Sequence, residues 1–92
     1  MQALASFLNL LSDPTRLHII RLLGEDTSTV SGISRALGIS LPAVSHQLAM
    51  LYSANLVKYS KTGREKHYEL TDKGIIQLLD KIESYMQKRG PI

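Results

Sequence analysis

Apolar residues recur at helical spacing from the start of the chain, where Leu4, Phe7, Leu8 and Leu11 fall on one stripe and Leu10 widens it. The pattern predicts a helix over residues 2 to 11 with an apolar face to bury. Asp13-Pro14 supplies a capping carboxylate and then a proline at the first helical position, and Leu17, Ile20, Leu22 and Leu23 carry a second helix to Gly24. Glu25-Asp26-Thr27-Ser28 reads as a connecting loop. Val30, Ile33 and Leu37 mark a short third helix, stopped by Gly38, which lacks the Cβ that disfavours positive φ. Ser40 caps the next helix. At about 100° per residue, Val44, Leu48 and Leu51 gather on one side of it, while Pro42, His46, Ala49 and Met50 lie opposite.

Beyond that helix the period changes. Asn55 is placed to end it in the left-handed conformation. Leu56-Val57-Lys58-Tyr59-Ser60 and Lys66-His67-Tyr68-Glu69-Leu70 are short β-prone runs about a turn near Thr62-Gly63. Thr71-Asp72 then caps a last helix bearing Ile75, Ile76, Leu78, Leu79, Ile82, Tyr85 and Met86. There is no repeat, linker or low-complexity segment, so residues 1–92 read as a single domain, mainly α with a small β-hairpin. Four helices, two strands and a final helix, in that order, make a winged helix-turn-helix.

Charge sharpens this picture. The outer face of the fourth helix offers Ser45, His46 and Gln47, short polar groups able to reach base edges, where a helix exposed only for solubility would carry Lys and Glu pairs. The net charge of +3 is modest, but up to Val57 three basic residues balance three acidic ones, and after it eight basic face five acidic. Between residues 58 and 68, Lys58, Lys61, Arg64 and Lys66 meet a single acid, Glu65, a concentration suited to a polyanion. The candidate contacts to double-stranded DNA are therefore Pro42 and Ala43, which let the helix N-terminus approach the backbone, Ser45, His46 and Gln47 at the bases, and Lys61, Arg64 and Lys66 at phosphates.

Several classes of chemistry are excluded or disfavoured. With no cysteine there are no disulfides, thiolate metal sites or cysteine nucleophiles. His18, His46 and His67 share no metal-binding spacing, no glycine-rich phosphate loop occurs, and Ser45 lies within a helix rather than at a glycine-flanked elbow. The reading is of a protein that is not an enzyme and carries no metal or other cofactor. No run is long and apolar enough to span a bilayer, and the N-terminus lacks a signal peptide's features, which points to the cytoplasm and away from membranes. A chain this short buries a small share of its surface, so self-association is the remaining route to stability. The apolar stripes of the first and last helices, Leu4, Phe7, Leu8 and Leu11 with Ile75, Leu78, Leu79, Ile82 and Met86, are the candidate homodimer interface. Competing readings are a winged-helix module that docks an acidic protein, or an architectural or plasmid-maintenance DNA-binding factor.

An ordered set of motifs resembles the ArsR/SmtB family of small dimeric transcriptional repressors. It comprises Leu11-Ser12-Asp13-Pro14-Thr15-Arg16-Leu17, Leu37-Gly38-Ile39-Ser40, Pro42-Ala43-Val44-Ser45-His46-Gln47-Leu48, and Leu56-Val57 leading to Gly63-Arg64 and Tyr68-Glu69-Leu70. The resemblance implies a homodimer joined through the first and last helices. It also implies recognition helices in successive major grooves of an inverted-repeat operator, and wings over the backbone or minor groove. Two departures stand out. Where metal-sensing members place cysteines at the start of the third helix, this chain has Ser28-Thr29-Val30-Ser31-Gly32. At the last-helix site Asp72 remains, but Gly74 takes the histidine place and Tyr85 and Lys88 fall near the distal pair. The metal response therefore does not carry over, and the sequence identifies no other effector. Leu41 is the second departure, standing where the family often has a polar residue such as glutamine: either a contact is lost or a thymine methyl is touched.

Overall fold

The structure, a computed structural model, describes residues 1–90; the last two positions of the domain expected over 1–92, Pro91 and Ile92, lie outside the described residues. Five helices and one hairpin follow in the order α1 (Gln2–Leu11), α2 (Pro14–Glu25), α3 (Val30–Leu37), α4 (Leu41–Ser53), β1 (Val57–Thr62), β2 (Glu65–Leu70) and α5 (Gly74–Arg89). This is the winged helix-turn-helix order read from the sequence. The caps that set α2, α3 and α4 are local. Asp13 accepts from the backbone N–H of Arg16 at 3.0 Å, Thr29 from Gly32 at 3.1 Å and Ser40 from Ala43 at 3.2 Å. Gly38 and Asn55 take left-handed φ values of 71° and 62°, which end α3 and turn the chain from α4 into the hairpin.

Ile19, Ile20, Leu23, Ile33, Val44, Leu48, Leu51 and Val57 are fully buried and form the centre of one core, to which α2, α3, α4 and the base of the hairpin all contribute. Each such side chain gains about 1.5–3 kcal/mol by leaving water. Gly24, read as a helix stop, instead lies within α2, and a Cβ there would come within 2.7 Å of Ile76 Cδ1. It is the point of close approach between α2 and α5. Arg21 on α2 reaches across to α5, bridging Asp80 at 2.6 Å and also Glu83. The hydrogen bond to Asp80 is the main cause that pushes its pKa up, against some desolvation and with Glu83 adding to the rise.

Three expectations change. Ser28, read as loop, exchanges backbone hydrogen bonds with Tyr68, at 3.1 Å and 2.8 Å, and so adds a one-residue third rung beside β2. The hairpin loop is Gly63-Arg64, one residue beyond the expected turn, with a positive φ only at Gly63, as a II′-type hairpin needs. Ahead of α5, Asp72 does accept from the N–H of Gly74 at 2.8 Å, but the Thr71 hydroxyl donates to the Asn55 carbonyl at 2.8 Å, tying the hairpin's exit to its entrance.

The terminal helices stand partly away from the core. The radius of gyration is 14.0 Å, against about 12 Å for a compact globule of this length. Leu4 and Leu8 on α1 and Leu78, Ile82, Tyr85 and Met86 on α5 are exposed. Leu11, Ile75 and Leu79, which sequence reasoning placed on the same dimer face, are at most 9% exposed and belong to the subunit's own core, with Phe7 packed against it. The correction has a simple cause: both sides of these helices are apolar, and spacing alone does not say which side the rest of the chain covers.

Candidate nucleic-acid interface

Packing of Val44, Leu48 and Leu51 into the core fixes the rotation of α4, and this leaves Pro42, Ser45 and His46 exposed. Ala43 is half-buried, its N–H taken by the Ser40 cap. Gln47 differs from the sequence reading. It is half-buried, and its amide oxygen accepts a 3.2 Å hydrogen bond from Arg16, a residue 31 positions away on α2. The same guanidinium touches Met50 Sδ at 3.5 Å and donates from Nε to the Leu10 carbonyl at 2.6 Å. Gln47 is therefore held from behind, and Met50, expected on the outer side, is partly covered. The functional residue that sequence reasoning missed is Arg16, one of two arginines in α2, whose long-range partner no spacing reveals.

The hairpin register resolves what the strand sequences leave mixed. Val57 pairs with Leu70, Tyr59 with Tyr68 and Lys61 with Lys66, and directly opposed residues of an antiparallel pair share a face. One face of the hairpin therefore grades from buried Val57 and Leu70 at its base, through two tyrosines, to two lysines near the tip. The Tyr59 ring lies between Tyr52 of α4, at 5.5 Å between centroids, and Tyr68, at 5.3 Å. These tilted contacts brace the wing against the end of α4. The Lys66 ammonium sits 4.5 Å from the Tyr59 ring centre, a cation–π contact. On the opposite face Lys58 pairs with Glu69 at 3.6 Å.

Between α4 and the wing runs an open cleft of about 400 Å³, with Ser45, Ala49 and Tyr52 on one wall and Tyr59, Lys66 and Tyr68 on the other. A smaller cleft of about 240 Å³ lies next to it, between Thr29, Val30 and Ser31 at the start of α3 and Arg64, Glu65 and Lys66 of the wing. Lys66 lines both. The structure thus brings together Ser45 of α4 and Lys66 and Arg64 of the wing along adjoining clefts, and leaves Lys61 exposed on the wing itself.

The family's last-helix metal site does not fit these residues. Asp72 spends one oxygen on the Gly74 N–H, and Gly74 has no side chain to ligate. Among the described residues no three His, Asp or Glu side chains gather as a metal-holding group, and no helix is long and apolar enough to cross a membrane.

The helix-turn-helix followed by a two-stranded wing places the chain in the class of winged helix-turn-helix folds. Within it, residues 13–59 match the model of the "Bacterial regulatory protein, arsR family", and the chain belongs to that family. It is 36% identical over 87 residues to the transcriptional repressor SmtB homolog of Synechocystis, covering 95% of this chain and 66% of that protein. The chain spans a little under two thirds of the length of the curated relatives it matches first. Among solved structures, the crystal structure of Mycobacterium tuberculosis Rv0081 superposes with a TM-score of 0.87 at 25% identity, over 95% of this chain and 88% of that one. A Mycobacterium bovis fragment, described as a homodimeric winged helix-turn-helix DNA-binding domain, has a TM-score of 0.81 at 24% identity, over 94% of this chain and 80% of its own.

Proposed function

We propose that the chain is a single winged helix-turn-helix domain that binds double-stranded DNA as a homodimer and represses transcription by occupying an inverted-repeat operator. It acts in the cytoplasm, is not an enzyme, and does not respond to metal through the usual family sites. The observation that carries the reading is the pairing of Lys61 with Lys66 across the wing, beside a recognition helix whose exposed face is uncharged. Like charges directly opposed on two strands repel each other and cost stability. A phosphate backbone running along that face turns the cost into attraction.

In this reading Ser45 and His46 meet base edges, while Gln47, steadied by Arg16, presents its amide nitrogen. Lys61, Arg64 and Lys66 neutralise phosphates, Arg64 from the wing tip. Family membership and the curated repressor relative support the regulatory role. The homodimeric M. bovis neighbour and the exposed Leu4, Leu8, Leu78, Ile82 and Met86 support pairing of two chains through α1 and α5. Two-fold symmetry sets the half-site centres about 34 Å apart, one turn of B-form DNA.

The experiment is a binding titration with duplex from upstream of the chain's own gene, followed by footprinting. A single protected inverted repeat, bound by two chains and losing affinity steeply with salt, is the expected result. Binding insensitive to salt, or no preference over scrambled duplex, overturns the reading.

A further inference from the structure

Leu41 is the exposed apolar residue that neither the core nor the terminal helices account for. It opens α4 directly after the Ser40 cap and is 50% exposed, and it is absent from the side chains packed against the core, whereas its neighbour Ile39 packs there. Leu4, Leu8, Leu78, Ile82, Tyr85 and Met86 lie on α1 and α5, and Tyr52 and Tyr59 are stacked together. Leu41 carries the large uncovered aliphatic side chain at the N-terminus of the recognition helix, next to exposed Pro42, where the first turn bears no charge and is held by the Ser40 cap.

In helix-turn-helix docking it is the N-terminal residues of this helix that meet base edges. The major groove offers hydrogen-bonding groups at every base pair and one apolar group, the C5-methyl of thymine. An aliphatic side chain set against a cytosine amino group or a guanine carbonyl strips that group of water and gives nothing back. Against a thymine methyl, both partners leave water at once.

Resting on the DNA-binding reading above, we infer that Leu41 is a specificity-determining residue that selects thymine, through its methyl group, at one position of each half-site. The preference is apolar and short-ranged, so it does not depend on salt, unlike the wing contacts.

The test uses duplexes selected from a randomised pool by the full chain and, separately, by Leu41→Ala. The wild-type pool is expected to enrich thymine at one position per half-site, and the variant pool to lose that preference while keeping the others. Replacing that thymine by deoxyuridine, which lacks only the methyl, then weakens wild-type binding about fourfold for each half-site and leaves the variant's affinity unchanged. The inference is overturned if wild-type affinity is unchanged by deoxyuridine at every thymine of the selected duplex. It is equally overturned if Leu41→Ala suffers the same loss. The deoxyuridine arm needs no variant, so a folding defect in Leu41→Ala does not blunt it. Failure of the wild-type chain to enrich any sequence would overturn the DNA-binding reading itself, and the inference with it.

Discussion

The terminal helices and the surface formed by α4 and the wing leave different chemistry uncovered. On α1 and α5 the exposed residues include Leu4, Leu8, Leu78, Ile82 and Met86; on α4 and the hairpin they include Ser45, His46, Lys61, Arg64 and Lys66. An exposed apolar stripe is relieved by any shape-matched apolar surface, most economically a second copy of itself. An opposed pair of lysines, of which Lys66 is partly satisfied by the Tyr59 ring, is relieved further by negative charge. One chain thus carries two surfaces of different chemistry: in the proposed dimer, loss of pairing through α1 and α5 also weakens the hold on an inverted repeat, whereas wing substitutions should leave pairing of the free chains intact.

The largest effect is expected from Ile82→Asp, which sets an unpaired carboxylate into both halves of the proposed symmetric interface. Burying such a charge costs several kcal/mol, so sedimentation should report a single chain where the wild type is expected to report two. Leu79→Ala tests the inner side of the same helix. Leu79 is 7% exposed and Ile82 38%, so the former should lower folding stability by about 2–5 kcal/mol in urea titrations without selectively separating the subunits. At the other surface, His46→Ala should relax discrimination at one base position by about 1–3 kcal/mol, read from the affinities of single-base operator variants. Lys61→Ala and Arg64→Ala should each flatten the dependence of log affinity on log salt by about one and weaken all sequences alike. The smallest change is expected for Arg21→Ala, whose part-exposed bridges to Asp80 and Glu83 contribute at most about 1 kcal/mol. It should shift the thermal midpoint slightly, and less as salt is raised.

Local features were legible in the sequence because their physics is local. The Asp13 and Ser40 caps need partners only three residues on, and Gly38 and Asn55 answer a backbone angle at their own positions. The element order and the outward Ser45 and His46 followed from them and from helical spacing. What spacing leaves undetermined is partnership at a distance. The Arg16–Gln47 contact spans 31 positions, and the Ser28–Tyr68 rung depends on the hairpin reaching back to α3. Leu11, Ile75 and Leu79 were assigned outward because α1 and α5 carry more apolar residues than one face needs, and only the packing of α2 and the hairpin decides which are covered. Tyr59, ambiguous along its own strand, gains its meaning from the residue opposite it.

Arg16 joins the two surfaces. One guanidinium grips the carbonyl of Leu10, where α1 is about to end, and the side chain of Gln47 in the reading helix. Arg16 thus links the end of α1 to α4 directly, without any intervening loop. In the proposed DNA-bound homodimer, thermodynamic reciprocity then makes any effect of DNA on the affinity between subunits return, by the same factor, as an effect of pairing on the affinity for DNA.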